Sequence, residues 1–191
     1  GRKGSARRRD PNALVLDLCR YRNGGGDWSG PLPVIHVQEL LEKENYQGPL
    51  ALQFAFRAES VPKSICAVIE DAAQYDICVN GQPVGPGAGA VACRVLCGKP
   101  REQDVGALRG LRQTATQATA PDAPYYVDRS FHPVDIAAHV REGRNTIELS
   151  VDFRPVPKAT FALASLFEVQ TGTELETIYL IGDFGVRGAL S

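Results

Sequence analysis

The 191-residue chain has no methionine, one tryptophan and three histidines. No run approaches the roughly 18 apolar residues of a membrane-crossing helix. Charge of one sign is also lacking: 21 Lys and Arg stand against 22 Asp and Glu, a net of −1. That balance provides no global pull toward nucleic acid or a membrane surface, so neither is expected as a partner. The five cysteines are odd in number and irregularly spaced, which excludes a regular disulfide framework. Cys19, Cys66 and Cys78 lie in apolar runs and read as small core hydrophobes. Cys93 and Cys97 form a lone C-x3-C without the two further ligands that zinc needs, so no metal is expected. No cofactor is expected either. The G-x-S-x-G elbow and the H-E-x-x-H metal motif are missing. The glycine-rich Gly85-Pro86-Gly87-Ala88-Gly89 is not followed by the Lys-Ser or Lys-Thr of a phosphate loop, and reads as a plain loop. No secretory leader pattern follows Arg2 to Arg9. With methionine absent throughout, the expectation is a piece of a longer chain.

What is present is a succession of short strands. Residues 1–12, with Arg2, Lys3, Arg7, Arg8 and Arg9, read as a basic, flexible, solvated arm. Residues 13–191 are expected to form one domain. Ala13 to Cys19 reads as a first strand, followed by an open turn at Asn23 to Asp27. Val34 to Lys43 places Val34, Val37, Leu40 and Leu41 at helical spacing, and Pro33 suits a helix start. Leu50 to Ala58 alternates Leu50, Leu52, Phe54 and Phe56 against smaller or polar residues, as a half-buried strand does. Ile65 to Glu70, Tyr75 to Val79 and Gln82 to Val84 follow, the last two joined by an Asn80-Gly81 turn. Glu102 to Arg112 reads as a short helix inside a mobile, low-complexity loop at 99–124. Strands resume at Tyr125 to Val127, Thr146 to Phe153, Phe161 to Val169 and Leu175 to Ile181. Many strands with one or two short helices predict a mainly β, antiparallel β-sandwich. Phe54, Phe56, Val79, Ile147 and Leu149 are its expected core.

Phe131 to Phe153 is the most informative stretch. A "VDI" leads into a helical half-turn, then "EGRN", then a strand with Ile147, Leu149 and Val151 on one face. Gly143 can take the positive φ of a tight turn, and Asn145 can bond the local backbone. With Val79-Asn80-Gly81 and Glu176 to Val186 (ETIYLIGDFGV), this set resembles the galactose-binding-domain-like, jelly-roll β-sandwich of large bacterial glycoside hydrolases. The segments Leu16 to Tyr21 with Trp28, and Asp128 to Phe131, resemble the alpha-L-rhamnosidase-type members. The resemblance implies an accessory module beside a separate catalytic domain of the same polypeptide. It also implies that the catalytic carboxylates lie in that other domain. The chain departs from the pattern in its long loop at 99–124 and in Tyr126, where a tryptophan is common.

The chain is therefore expected to be non-catalytic, binding carbohydrate weakly or bracing the catalytic domain. A small self-contained glycosidase and a protein-interaction sandwich are the alternatives. A sugar ring would be met by an exposed aromatic face and a few polar groups. Trp28, in the glycine-rich "GGDWSGP", is the first candidate, with Tyr126 and Arg129 next. All three are expected on loops at one end of the sandwich. The alternative for Trp28 is that it plugs the space beneath the Gly24 to Gly26 loop.

Overall fold

The structure, a computed structural model, describes residues 11–85, 130–155 and 172–187. Among the described residues, ten strands form two antiparallel sheets. One is a four-stranded sheet of β1 (Asn12–Leu16), β10 (Ile178–Gly182), β5 (Ile65–Glu70) and β8 (Phe131–Asp135), in that order. The other runs β3 (Leu32–Pro33), β2 (Leu18–Asn23), β4 (Gly48–Ala58), β9 (Gly143–Phe153), β6 (Asp76–Val79), β7 (Gln82–Val84). The β-sandwich read from the strand pattern is thus the fold. One α-helix is present among the described residues, α1 (Val34–Lys43), with the bounds its periodicity predicts. Pro33 precedes it with φ −56°, and Val34 N–H donates to the Asp17 carbonyl at 2.9 Å.

The period-2 alternation puts one row of side chains from each sheet into a common core. Cys19, Phe54, Ile147 and Val79 stand in register across β2, β4, β9 and β6. All four are buried. Ile65, Ala67, Ile69, Val134, Ile178 and Leu180 face them from the other sheet, and Val37 and Leu41 of α1 close one side. Burial pushes the Cys19 thiol up to about 12, so it packs as a neutral hydrophobe, as expected.

Five expectations change. Ala13 to Cys19 is not one strand. It breaks at Asp17, and β1 and β2 belong to opposite sheets, so the chain crosses the sandwich there. Phe131 to Asp135 is a strand that its proline conceals. Pro133 is tolerated because β8 lies at a sheet edge. The last strand begins at Ile178 rather than Leu175. Phe56 is only half-buried, near the end of β4, although it packs against the core. Cys78 alternates with the buried Ile77 and Val79, so it lies on the outer face, half-buried.

Asn12, at the end of the expected arm, pairs with Gly182. The rest of the arm, the loop at 99–124 with its helix, the strands at 125–127 and 161–169, Cys93, Cys97, Tyr126 and Arg129 lie outside the described residues.

The motif residues have concrete jobs. Asn80 and Gly81 both have positive φ, 51° and 78°, as a two-residue hairpin turn of the favoured hand requires. Asn80 also reaches across to β9. Its side-chain amide donates to the His139 carbonyl and to Asn145 Oδ1, both at 2.8 Å, and its Oδ1 accepts from Thr146 N–H at 3.0 Å. Asn145 is fully buried. It donates to the carbonyls of Arg141 and Gly143 and accepts from Arg141 N–H. Gly143 sits at φ +87°, as the turn reading requires, but it already belongs to the ladder and pairs with Ala58. Gly182 pairs with Ile65, and a Cβ there would collide with the Ser64 carbonyl oxygen. Only glycine lets the two backbones approach so closely.

Candidate functional site

The outer face of the six-stranded sheet carries the side chains that alternate away from the core. One row crosses four strands in register: Arg22 of β2, Ala51 of β4, Ser150 of β9 and Asp76 of β6. The two central residues are small and the two ends are long or charged. A row of that profile leaves a trough between its ends. The trough is an open groove of about 400 Å³, lined also by Pro49, Gln74 and Asp152. Its volume falls within the range of small-molecule sites. Ala51 lies at its floor, only 7% exposed although on the outer face. Asp76 and Asp152 are exposed along its margin.

Arg22 is positioned from two sides. Its guanidinium carbon lies 4.7 Å from the centroid of the Trp28 ring. Its Nη2 lies 4.0 Å from Glu148 Oε1. The loop carrying Trp28 is held against β2 by Ser29. Ser29 N–H donates to the Tyr21 carbonyl at 2.9 Å, and Tyr21 N–H donates to Ser29 Oγ at 2.9 Å. Arg20 Nε adds a bond to the Ser29 carbonyl at 2.7 Å. Asp152 pairs with Arg154 at 3.3 Å, both largely exposed.

Trp28 is half-buried beside Arg22, which lines the groove, but is not itself among the lining residues. Tyr126 and Arg129 lie outside the described residues, so the three expected residues are not brought together here. Tyr179, another aromatic of the motif set, makes an edge contact with Phe131 in the four-stranded sheet, centroids 5.7 Å apart. Among the described residues no group of three His, Cys, Asp or Glu is placed to hold a metal ion.

Sequence reasoning did not single out Arg22, Ala51, Asp76, Ser150 or Asp152. Alternation shows that each faces away from the core. It does not reveal that β2, β4, β9 and β6 are neighbours, because that order is set by tertiary pairing.

A second polar feature lies at the end of β5. Burial raises the Glu70 carboxyl above its ordinary value of 4.5, opposed by a hydrogen bond from Ser130 and reinforced by Glu176, Asp71 and Glu174. The Tyr75 hydroxyl is raised by burial and then by Glu70, Asp71 and Glu176, and it donates to the Glu174 carbonyl at 3.3 Å.

No family profile matches the chain, and no curated protein matches it. Solved structures do. The chain is similar to a GH2 β-galacturonidase from Eisenbergiella tayi bound to galacturonate, at 12% identity and TM-score 0.46, over 90% of this chain and 24% of that one. It is similar to a β-D-glucuronidase from Dictyoglomus thermophilum at 12% identity and TM-score 0.46, over 93% and 29%. A β-glucuronidase from Ruminococcus gnavus in complex with D-glucaro-d-lactam matches at 11% identity and TM-score 0.49, over 93% and 30%. The chain therefore spans less than a third of the length of each of these three. Their names are those of β-glycuronidases rather than rhamnosidases.

Proposed function

We propose that this chain is a non-catalytic β-sandwich module of a larger glycoside hydrolase, working beside a catalytic domain of the same polypeptide. The observation that carries the reading is the bond between Asn80 and Asn145, 65 residues apart in sequence. The resemblance to glycosidase sandwiches rests on "VNG" and "EGRN", two strings far apart in the sequence. Their two asparagines bond each other, and each fixes a backbone turn. Gly182 of "IYLIGDFGV" is likewise set by close backbone approach at β5. The motif positions thus mark the joints of one sandwich, which supports reading the separate strings as one structural set.

The non-catalytic role is supported by the openness of the groove. Asp76 and Asp152 face solvent, whereas glycosidic cleavage is helped by a site that expels water and holds one carboxyl with a raised pKa. An open, mixed polar groove suits weak surface binding of a sugar chain, with Trp28 fixing Arg22 at its end. Bracing of the catalytic domain is the other form of the same role. Calorimetric titration of the chain against a panel of neutral and acidic oligosaccharides separates the two. Heat that saturates in the micromolar to millimolar range selects binding. No heat with any glycan selects bracing.

A further inference from the structure

We infer that the groove floored by Ala51 and Ser150 is a glycan subsite that takes neutral sugar rings and disfavours uronates. The inference rests on the carbohydrate-binding form of the function proposed above. It adds a location on the sheet face rather than on the end loops, and it adds a selectivity.

The location follows from the register. Arg22 and Asp76 lie three strand spacings apart, about 14 Å across the sheet. Between them the floor has only the methyl of Ala51 and the hydroxymethyl of Ser150. A flat ring can therefore descend to the sheet, with its apolar C–H face toward Ala51. Gln74 and Asp152 stand at the margin to meet its hydroxyls.

The selectivity follows from the charges. The lining holds two carboxylates, Asp76 and Asp152, against one guanidinium, Arg22. Arg22 already faces Glu148 and the Trp28 ring, so its positive charge is partly engaged. Arg154 pairs with Asp152 at 3.3 Å, so Asp76 is the carboxylate of the lining without an ion pair among the described residues. Sugar hydroxyls can donate to the two carboxylates in charge-assisted bonds. A uronate at the same place would set carboxylate against carboxylate, which acts as discrimination by repulsion. Because the groove is open to water, the discrimination is modest, about two- to five-fold, the range that an exposed charge contact supplies.

The test is a chemical-shift titration of the whole 191-residue chain. The probes are gluco-, manno- and galacto-trisaccharides, each paired with its uronate counterpart differing only at C6. The expected result is that a neutral member moves the amides of Ala51, Ser150 and Asp76, and binds at least two-fold more tightly than its uronate. Asp76→Asn, at an exposed position, should keep the melting temperature and bring that ratio toward one. Three outcomes overturn the inference. Shifts confined to other residues would remove the groove and leave carbohydrate binding standing. Uronates bound as tightly as neutral sugars would remove the selectivity. No shift with any sugar at millimolar concentration would remove groove and carbohydrate binding together, leaving the bracing role.

Discussion

The guanidinium carbon of Arg22 lies 4.7 Å from the centroid of the Trp28 ring. This contact joins the one tryptophan of the chain to the row of residues that crosses the outer sheet face. An exposed cation–π contact contributes about 0.5–1 kcal/mol, enough to bias Arg22 toward one rotamer. One face of the indole is thereby given to Arg22. Any sugar that meets Trp28 must use the other face or the ring edge. Trp28 thus reaches the groove only through Arg22.

Asn145 should be among the least replaceable polar residues. Its amide makes bonds to Arg141, Gly143 and Asn80 while wholly shielded from water. Asn145→Ala strands several of these backbone groups, each at about 1–3 kcal/mol. The expected loss, read by urea denaturation, is about 3 kcal/mol or more. A double-mutant cycle with Asn80→Ala should show coupling of at least about 0.5 kcal/mol, since the two share a bond. Additive losses would mean that the two turns are held independently.

Gly143 should tolerate a side chain poorly, for conformational and not steric reasons. Nothing lies within 4 Å of where its Cβ would stand, yet its φ is +87°. Gly143→Ala should cost about 1–2 kcal/mol, the left-handed penalty of an L-residue. Gly25 is the right control, being exposed with nothing within 4 Å of its Cβ position. Gly24 is not, because it too has a positive φ, +59°. Gly25→Ala should change the unfolding free energy by less than about 0.5 kcal/mol. Equal losses at 143 and 25 would contradict the turn.

Glu70 makes stability depend on pH in a definite direction. Its folded-state pKa is raised, first by burial and then by the neighbouring acids. The folded protein therefore binds more protons than the unfolded chain through this window, and stability falls as pH rises. The contribution is fully present below the ordinary carboxylate value of 4.5 and is lost as pH passes the raised folded value. Glu70→Gln should raise the melting temperature at neutral pH and make little difference in acid. An equal effect of the substitution at pH 3 and pH 7 would contradict this.

The sequence revealed the architecture where one physical signal dominated. The helix Val34–Lys43 was legible because its apolar residues recur at helical spacing and Pro33 fixes its start. The core row was legible at Phe54, Val79, Ile147 and Leu149 because strand alternation there is clean. Phe56 keeps the same alternation but has less above it near the strand end, and alternation carries no information on strand ends. Pro133 concealed β8 because only the sheet order shows that it lies at an edge. The groove was illegible for the same reason. Arg22, Ala51, Ser150 and Asp76 are far apart in sequence, and only the pairing of four strands brings them into a row.

Whether this sandwich serves a glycosidase without performing its chemistry is answered by the hydrolysis of 4-nitrophenyl glycosides by the purified 191-residue chain. The substrates should include the β-glucuronide, β-galacturonide, β-glucoside, β-galactoside and α-L-rhamnoside. With a non-catalytic sandwich, 4-nitrophenol is released at the buffer rate with every one of them. Saturable release above buffer that co-purifies with the chain, and is lost on replacing one of its carboxylates, would show that the sandwich is itself catalytic.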